Sequence, residues 1–163
     1  MPAPARSSSP PAPPPWGHAW EVFDRLEGIW ALERVIEGQA SMTGTAVFAP
    51  RPDGRLRYRE EGRVRLLDGR SFDAHRAYLF EGRPDGFAVF FAEEPPRLFH
   101  HIALDPGAGN GVTWTGAAAH LCAADLYDSG YRFLADGRFI VRHAVRGPRK
   151  DYVTTTAFRR PAG

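Results

Sequence analysis

The sequence predicts an all-β protein, a single antiparallel barrel of about 8–10 strands with a short helix on its N-terminal side. Three observations lead there. From Gly28 onward apolar and polar residues alternate along most segments, the period of a strand with one buried face. Turn signals interrupt the alternation about every 8–12 residues. The connections are short, which suits neighbouring strands and lets the last strand pair with the first, removing the exposed edges.

The chain has 163 residues, 43% of them apolar and 25% charged, ordinary for a globular chain with a real core. A net charge of +2 is too small to imply a nucleic-acid partner or an anionic membrane. The single cysteine, Cys122, forbids an internal disulfide and fits a reducing, cytoplasmic setting. No apolar run approaches the roughly 18 residues of a membrane span. The first residues lack the apolar core of a secretory signal.

Residues 1–15 hold seven prolines and are expected to form an extended, disordered tail, with the barrel domain occupying 16–163. A short helix is expected from Trp16 to Glu27, with Trp20, Phe23 and Leu26 at helical spacing and Gly28 ending it. Strands are then expected at Gly28–Ile36 and Met42–Phe48. Arg55–Leu66 alternates cleanly, with Leu56, Tyr58, Glu60, Gly62, Val64 and Leu66 on one face and mostly arginine on the other. Asp68-Gly69 is a hairpin signal leading into Phe72–Phe80. Phe87–Ala92 and Leu98–Leu104 follow, then a glycine-rich loop over Asp105–Gly111. Further strands are expected at Val112–Thr115, Ala118–Leu126 and Tyr131–Leu134. Asp136-Gly137 turns the chain into Phe139–Arg146, and Val153–Arg159 closes it.

A Gly-x-Trp at Gly28–Trp30, preceded by a short helix and matched by Arg159-Arg160 at the end, resembles the calycin (lipocalin-like) pattern. That resemblance implies a calycin-like β-barrel whose Trp30 packs at the closed end beneath a terminal arginine. A longer ordered set includes Leu26–Trp30, Gly44–Phe48, Tyr58–Gly62, Arg76-Ala77-Tyr78, Phe99-His100, His120-Leu121-Cys122, Asp125-Leu126-Tyr127 and Arg146–Tyr152. Together these blocks resemble the bacterial domain-of-unknown-function family 6314 over about residues 24–160. The resemblance supports the barrel without naming a reaction. Some members look like appendages of flavin monooxygenases, which implies an accessory role beside an oxidoreductase as one possibility. This chain carries no dinucleotide fingerprint.

Chemistry concentrates in Ala119–Tyr131, where small residues surround His120, Cys122, Asp125, Tyr127 and Tyr131. His120 and Cys122 share a strand face about 7 Å apart, too far for direct activation of the thiol. Cys122 reads as a small core residue. Regular alternation would put His120 and Asp125 on opposite faces, so a bulge or turn near Ala123-Ala124 is expected if both point inward. Glu60 falls on the inner face with Tyr58, and Arg76 on that of Tyr78. A buried carboxylate needs a partner, and Arg76 is the nearest candidate in sequence. The turn Arg146-Gly147-Pro148-Arg149-Lys150 should hold Arg146, Arg149 and Lys150 together at a rim. His100, His101, His120, Cys122 and His143 lack metal-site spacing, and neither a metal nor haem is expected. The arginine stripe reads as a solvated strand face rather than a nucleic-acid platform.

The expected function is binding of a small, partly aromatic or apolar molecule, with Tyr58, Glu60, Arg76, Tyr78, His100, His120, Asp125, Tyr131 and Lys150 as contacts. The alternatives are a cofactor-free isomerase, cyclase or lyase using His120 or Glu60 as base and Tyr127 or Tyr131 as acid, or an accessory protein to a partner enzyme.

Overall fold

A computed structural model describes residues 14–162. The expected tail lies outside the described residues except for Pro14 and Pro15, whose carbonyls accept hydrogen bonds from Arg25 at 3.0 and 2.9 Å. A 3-10 turn at Ala19–Glu21 leads into a single helical turn, α1, at Val22–Arg25. The helix is shorter than its sequence pattern suggests; Leu26 and Phe23 of the expected face pack on the core, but Trp20 does not. Val22 and Leu26 are buried, whereas Trp20 is 59% exposed. Gly17, with φ of 61°, breaks the chain before the helix and lets Trp16 fold into the core instead.

Eleven strands follow: β1 (Gly28–Ile36), β2 (Ala40–Pro50), β3 (Leu56–Leu66), β4 (Ser71–Arg83), β5 (Gly86–Phe91), β6 (Arg97–Ala103), β7 (Asp105–Gly109), β8 (Val112–Cys122), β9 (Asp125–Leu134), β10 (Phe139–Arg146) and β11 (Asp151–Arg159). They form one antiparallel sheet in the order β6-β5-β4-β3-β2-β1-β11-β10-β9-β8-β7. The sheet curls into a nearly closed barrel, consistent with the calycin-like pattern. Alternation decides which side chains enter the lumen: Trp30, Leu32 and Arg34 from β1, Leu56, Tyr58 and Glu60 from β3. Close backbone approach is built into the wall where Gly44 of β2 faces Gly62 of β3. A Cβ on either would meet the other strand's backbone. Asp68-Gly69 and Asp136-Gly137 make the expected turns, their aspartates accepting from the amides of Arg70 and Arg138 at 3.0 Å.

Three sequence expectations need correction. The glycine-rich segment after Ala103 contains strand β7 rather than only a loop. Ala118–Leu126 is not one strand: β8 runs from Val112 through Cys122, and β9 starts at Asp125 after a two-residue turn. Finally, β1 does pair with β11, but this joint lies mid-sheet. The ladder ends at β6 and β7, which do not pair with each other; instead β6 packs against β8. Short β7 carries Pro106, which has no amide to donate, so the ladder stops there.

The end of the barrel near α1 is sealed by aromatic packing. Trp16 stacks on Trp30 with ring centroids 5.9 Å apart, and Phe133 and Phe139 meet them edge-on. The indole of Trp16 donates to the Leu134 carbonyl at 3.0 Å and that of Trp30 to Leu26 at 2.9 Å. Arg160, not Arg159, is the covering arginine. Its guanidinium lies 3.8 Å from the Trp30 ring centroid and donates to the carbonyls of Arg25, Glu27 and Ile29. Among the described residues no helix is long and apolar enough to cross a membrane.

Candidate functional site

Beyond this aromatic plug the lumen becomes polar. Arg34 of β1 grips Glu60 of β3 bidentately, Nη1 to Oε1 at 2.7 Å and Nη2 to Oε2 at 2.8 Å. Its Nε donates to Thr156 at 2.7 Å, and the Tyr58 hydroxyl donates to Glu60 Oε2. Arg34 and Glu60 are 7% and 2% exposed, so every one of these bonds offsets desolvation. Burial acts to raise the Glu60 carboxyl, but Arg34, then Arg76 and Tyr58, outweigh it and hold it below the ordinary carboxylate range. The Tyr58 phenol is pushed well up by burial and by the neighbouring carboxylate.

Arg76 stands directly opposite Glu60 in the β3–β4 register, as the sequence suggests. Its Nε is nevertheless 3.9 Å from Oε1, and its side chain is 43% exposed. The closest partner of Glu60 is therefore Arg34, which sequence reasoning missed. The signal was present: Arg34 continues the inward series Trp30, Leu32.

Three adjoining chambers occupy this half of the lumen, of about 40, 140 and 260 Å³, and Arg76 borders all of them. Tyr58, Glu60, Tyr78 and Tyr131 line the smallest together with Arg34 and His143. The middle one is walled by Tyr78, Phe91, Phe99, Tyr127 and Tyr152, with His143 and Thr154 as polar contributors. The largest reaches the hairpin ends through Ile36, Gln39, Val64 and Phe72. His143, Tyr152 and Thr154 are further residues missed as contacts, although each follows inward alternation on β10 or β11.

The histidines divide into distinct environments. His143 Nδ1 lies 2.7 Å from Ser129 Oγ, directly across the β9–β10 pair. Burial, then the charges of Arg76 and Arg34, push the His143 imidazole down to about 4, so it is neutral near pH 7. His100 Nε2 meets the Tyr131 hydroxyl at 2.9 Å, and burial with the neighbouring His143 and His120 pushes it down to about 3. A bulge between Val89 and Phe90 shifts the β5–β6 register, and Phe99 and His100 are both buried there. His120 points inward and packs against Phe91 and Phe99. His100 Nδ1 and His120 Nε2 are buried without a hydrogen-bond partner, and neither histidine borders the three chambers.

The expected irregularity at Ala123-Ala124 takes the form of a hairpin turn, with Ala123 at φ of 54° and Cys122 paired to Asp125. Reversing the chain there lets His120 and Cys122 of β8 share the inner side with Asp125 and Tyr127 of β9. At the rim Lys150 donates to the Tyr127 hydroxyl at 3.3 Å and lies 3.5 Å from Asp125. Arg146 and Arg149 are exposed. Cys122 lies 3.6 Å from Arg97 of β6, across the seam. Among the described residues no three His, Cys, Asp or Glu side chains are grouped so that they could hold a metal ion.

Residues 26–160 match DUF6314, described as a family of unknown function. The chain belongs to that family. No curated protein matches it. The DUF6314 match begins at Leu26, whose carbonyl receives the Trp30 indole, and ends at Arg160, which covers the same ring. It therefore takes in the barrel from its plug through every strand that lines the polar lumen.

Proposed function

We propose that the barrel binds a small, partly aromatic molecule in the polar half of its lumen, beside Arg76. The observation that carries this reading is the graded lumen. One end is filled with interlocking aromatic rings, while the other keeps adjoining chambers bordered by oriented tyrosines, a neutral histidine and an incompletely paired arginine. A wall made only for stability would be closely filled, as the interlocking buried rings of the plug are. Tyr58, Glu60, Arg76, Tyr78 and Tyr127 make up the proposed site, together with Arg34, His143, Tyr152 and Thr154. Tyr131 and His100 support its inner side, and Lys150 with Asp125 shapes its rim. Cytoplasmic placement and the absence of nucleic-acid or membrane partners remain part of this proposal.

The test is a screen of single-ring aromatic fragments by protein-observed NMR. Shifts gathering on Tyr78, Phe99, His143 and Tyr152 support the reading; a screen with no lumen shifts overturns it. His120→Ala should weaken a lumen ligand about tenfold, roughly 1.4 kcal/mol, through the loss of Phe91 and Phe99 support.

The enzyme alternative rests on a different residue from the two bases expected, His120 and Glu60; His120 borders none of the three chambers. Glu60 is bound by three hydrogen bonds and its carboxyl is held low, which makes it a poor base. His143 is oriented by Ser129 at Nδ1 and borders the chambers, which places it for proton transfer, but its imidazole, pushed down to about 4, is a weak base near pH 7. A bound fragment recovered chemically altered would support catalysis. Recovery unchanged supports binding alone.

A further inference from the structure

Charge in the lumen does not balance. Arg34, Glu60 and Arg76 are the Arg, Lys, Asp and Glu side chains bordering the three chambers, so two cations face one carboxylate. Arg34 claims both oxygens of that carboxylate, and Tyr58 adds a third hydrogen bond. Arg76 is left with a contact of 3.9 Å, beyond hydrogen-bond length. Its side chain is 43% exposed, so hydration offsets part of the cost of keeping a second cation beside one shared carboxylate. Nearby His143 is neutral near pH 7 and supplies no negative charge.

The surroundings of Arg76 narrow what its partner would be. Tyr78 holds the guanidinium over its ring at 5.9 Å. The adjoining chamber of about 140 Å³ is walled by Phe91, Phe99, Tyr127 and Tyr152. That volume is close to an engineered cavity of about 150 Å³ that accommodates benzene. A planar guanidinium offers paired N–H donors that suit a carboxylate, and the rings offer flat surfaces for another ring.

The geometry points to a single-ring aromatic monocarboxylate as the ligand class, its carboxylate on Arg76 and its ring between Phe99, Tyr127 and Tyr152. This rests on the lumen-binding reading above and adds the charge and size of the occupant. Thr154 and His143 border the same chamber and are placed to meet a ring substituent.

Titration calorimetry on the full chain at pH 7 with benzoate and its neutral isostere benzamide tests it. Benzoate should bind at least tenfold tighter than benzamide, and added salt should weaken benzoate alone. Arg76→Met should erase the preference for benzoate; Arg76→Lys should retain part of it. Glu60 keeps Arg34 and Tyr58 in both variants, so the fold is expected to survive, and circular dichroism checks that. Should Arg76→Met not fold, the wild-type benzoate–benzamide ratio and its salt dependence still decide. Equal affinity for the two probes overturns the anion assignment while leaving lumen binding intact. Inorganic phosphate binding as tightly as benzoate overturns the aromatic part. If neither probe binds and the fragment screen is also blank in the lumen, the underlying reading falls with it.

Discussion

Trp30 and Arg34 face the same lumen from the same strand, yet they belong to regions built on opposite principles. Around Trp30 the lumen is filled: Trp16, Phe133 and Phe139 interlock, indole N–H groups are satisfied by backbone carbonyls, and Arg160 covers the outside. Around Arg34 polar groups are fixed by one another, and space remains beside them. The plug gains stability from dispersion and burial. The polar belt gains little net stability from its ion pair, because desolvation offsets most of the attraction. What the belt obtains is orientation: a carboxylate, two guanidiniums and two phenols held on the lumen side.

The largest expected effect falls on the plug. Trp30→Ala removes a ring that is 1% exposed and touches Trp16, Phe139 and Arg160. It should cost about 3–5 kcal/mol in denaturant unfolding. A loss under about 1 kcal/mol would mean that the two ends are packed alike and the comparison is empty. Next comes the belt. Arg34→Met leaves Glu60 in place but strips two of its hydrogen bonds, and should cost about 3 kcal/mol. Arg34→Met with Glu60→Leu should recover much of that, since an apolar pair avoids the stranded charge; a double variant as unstable as the single one would contradict this account.

A pH-graded loss should follow from the neutral histidines. Free imidazole titrates near 6.5, while folded His143 is pushed down to about 4 and His100 to about 3. Between those limits the unfolded chain binds more protons than the folded one, so stability rises with pH. The contribution is complete above about pH 6.5 and is lost as pH falls toward 4 and then 3. Below the ordinary carboxylate range Glu60 adds to the same slope. Melting temperature should therefore fall steadily from pH 7 to pH 4, and His143→Gln should flatten that fall. A profile unchanged by the substitution would place the acid sensitivity elsewhere.

Much of this architecture was legible because alternation is a local property. The Arg55–Leu66 segment placed Tyr58 and Glu60 inside, and the Gly28–Trp30 motif located the plug before any neighbour was known. Partnerships were harder. Arg76 is the cross-strand neighbour of Glu60 and was within reach of sequence reasoning. Arg34 reaches Glu60 from β1, past the intervening β2, and only barrel curvature brings that pair together. Trp16 escaped for a related reason: left-handed Gly17 turns the indole off the helix face that the apolar spacing defined. Ala123-Ala124 carries none of the Gly, Asn or Asp residues that mark a tight hairpin, so only the conflict between His120 and Asp125 on one regular strand pointed to an irregularity there. The seam between β6 and β8 was missed because the segment carrying Pro106, where the ladder stops, was read as a loop and not as strand β7.

The smallest expected effect separates the two arginines that share Glu60. Arg34 makes two short hydrogen bonds inside a buried site, whereas Arg76 approaches one oxygen at 3.9 Å from an accessible position. Water screens the second interaction and not the first. A double-mutant cycle between Arg34 and Glu60 should give a coupling above about 1 kcal/mol. The same cycle between Arg76 and Glu60 should give no more than about 0.5 kcal/mol, falling further as salt is added. That inequality separates an arginine committed to Glu60 from one left for the proposed ligand. Equal couplings would make Arg76 a third member of the buried network, committed to Glu60 and poorly placed to hold an incoming carboxylate. A weak coupling together with a benzoate preference that disappears in Arg76→Met would assign the arginine to the ligand.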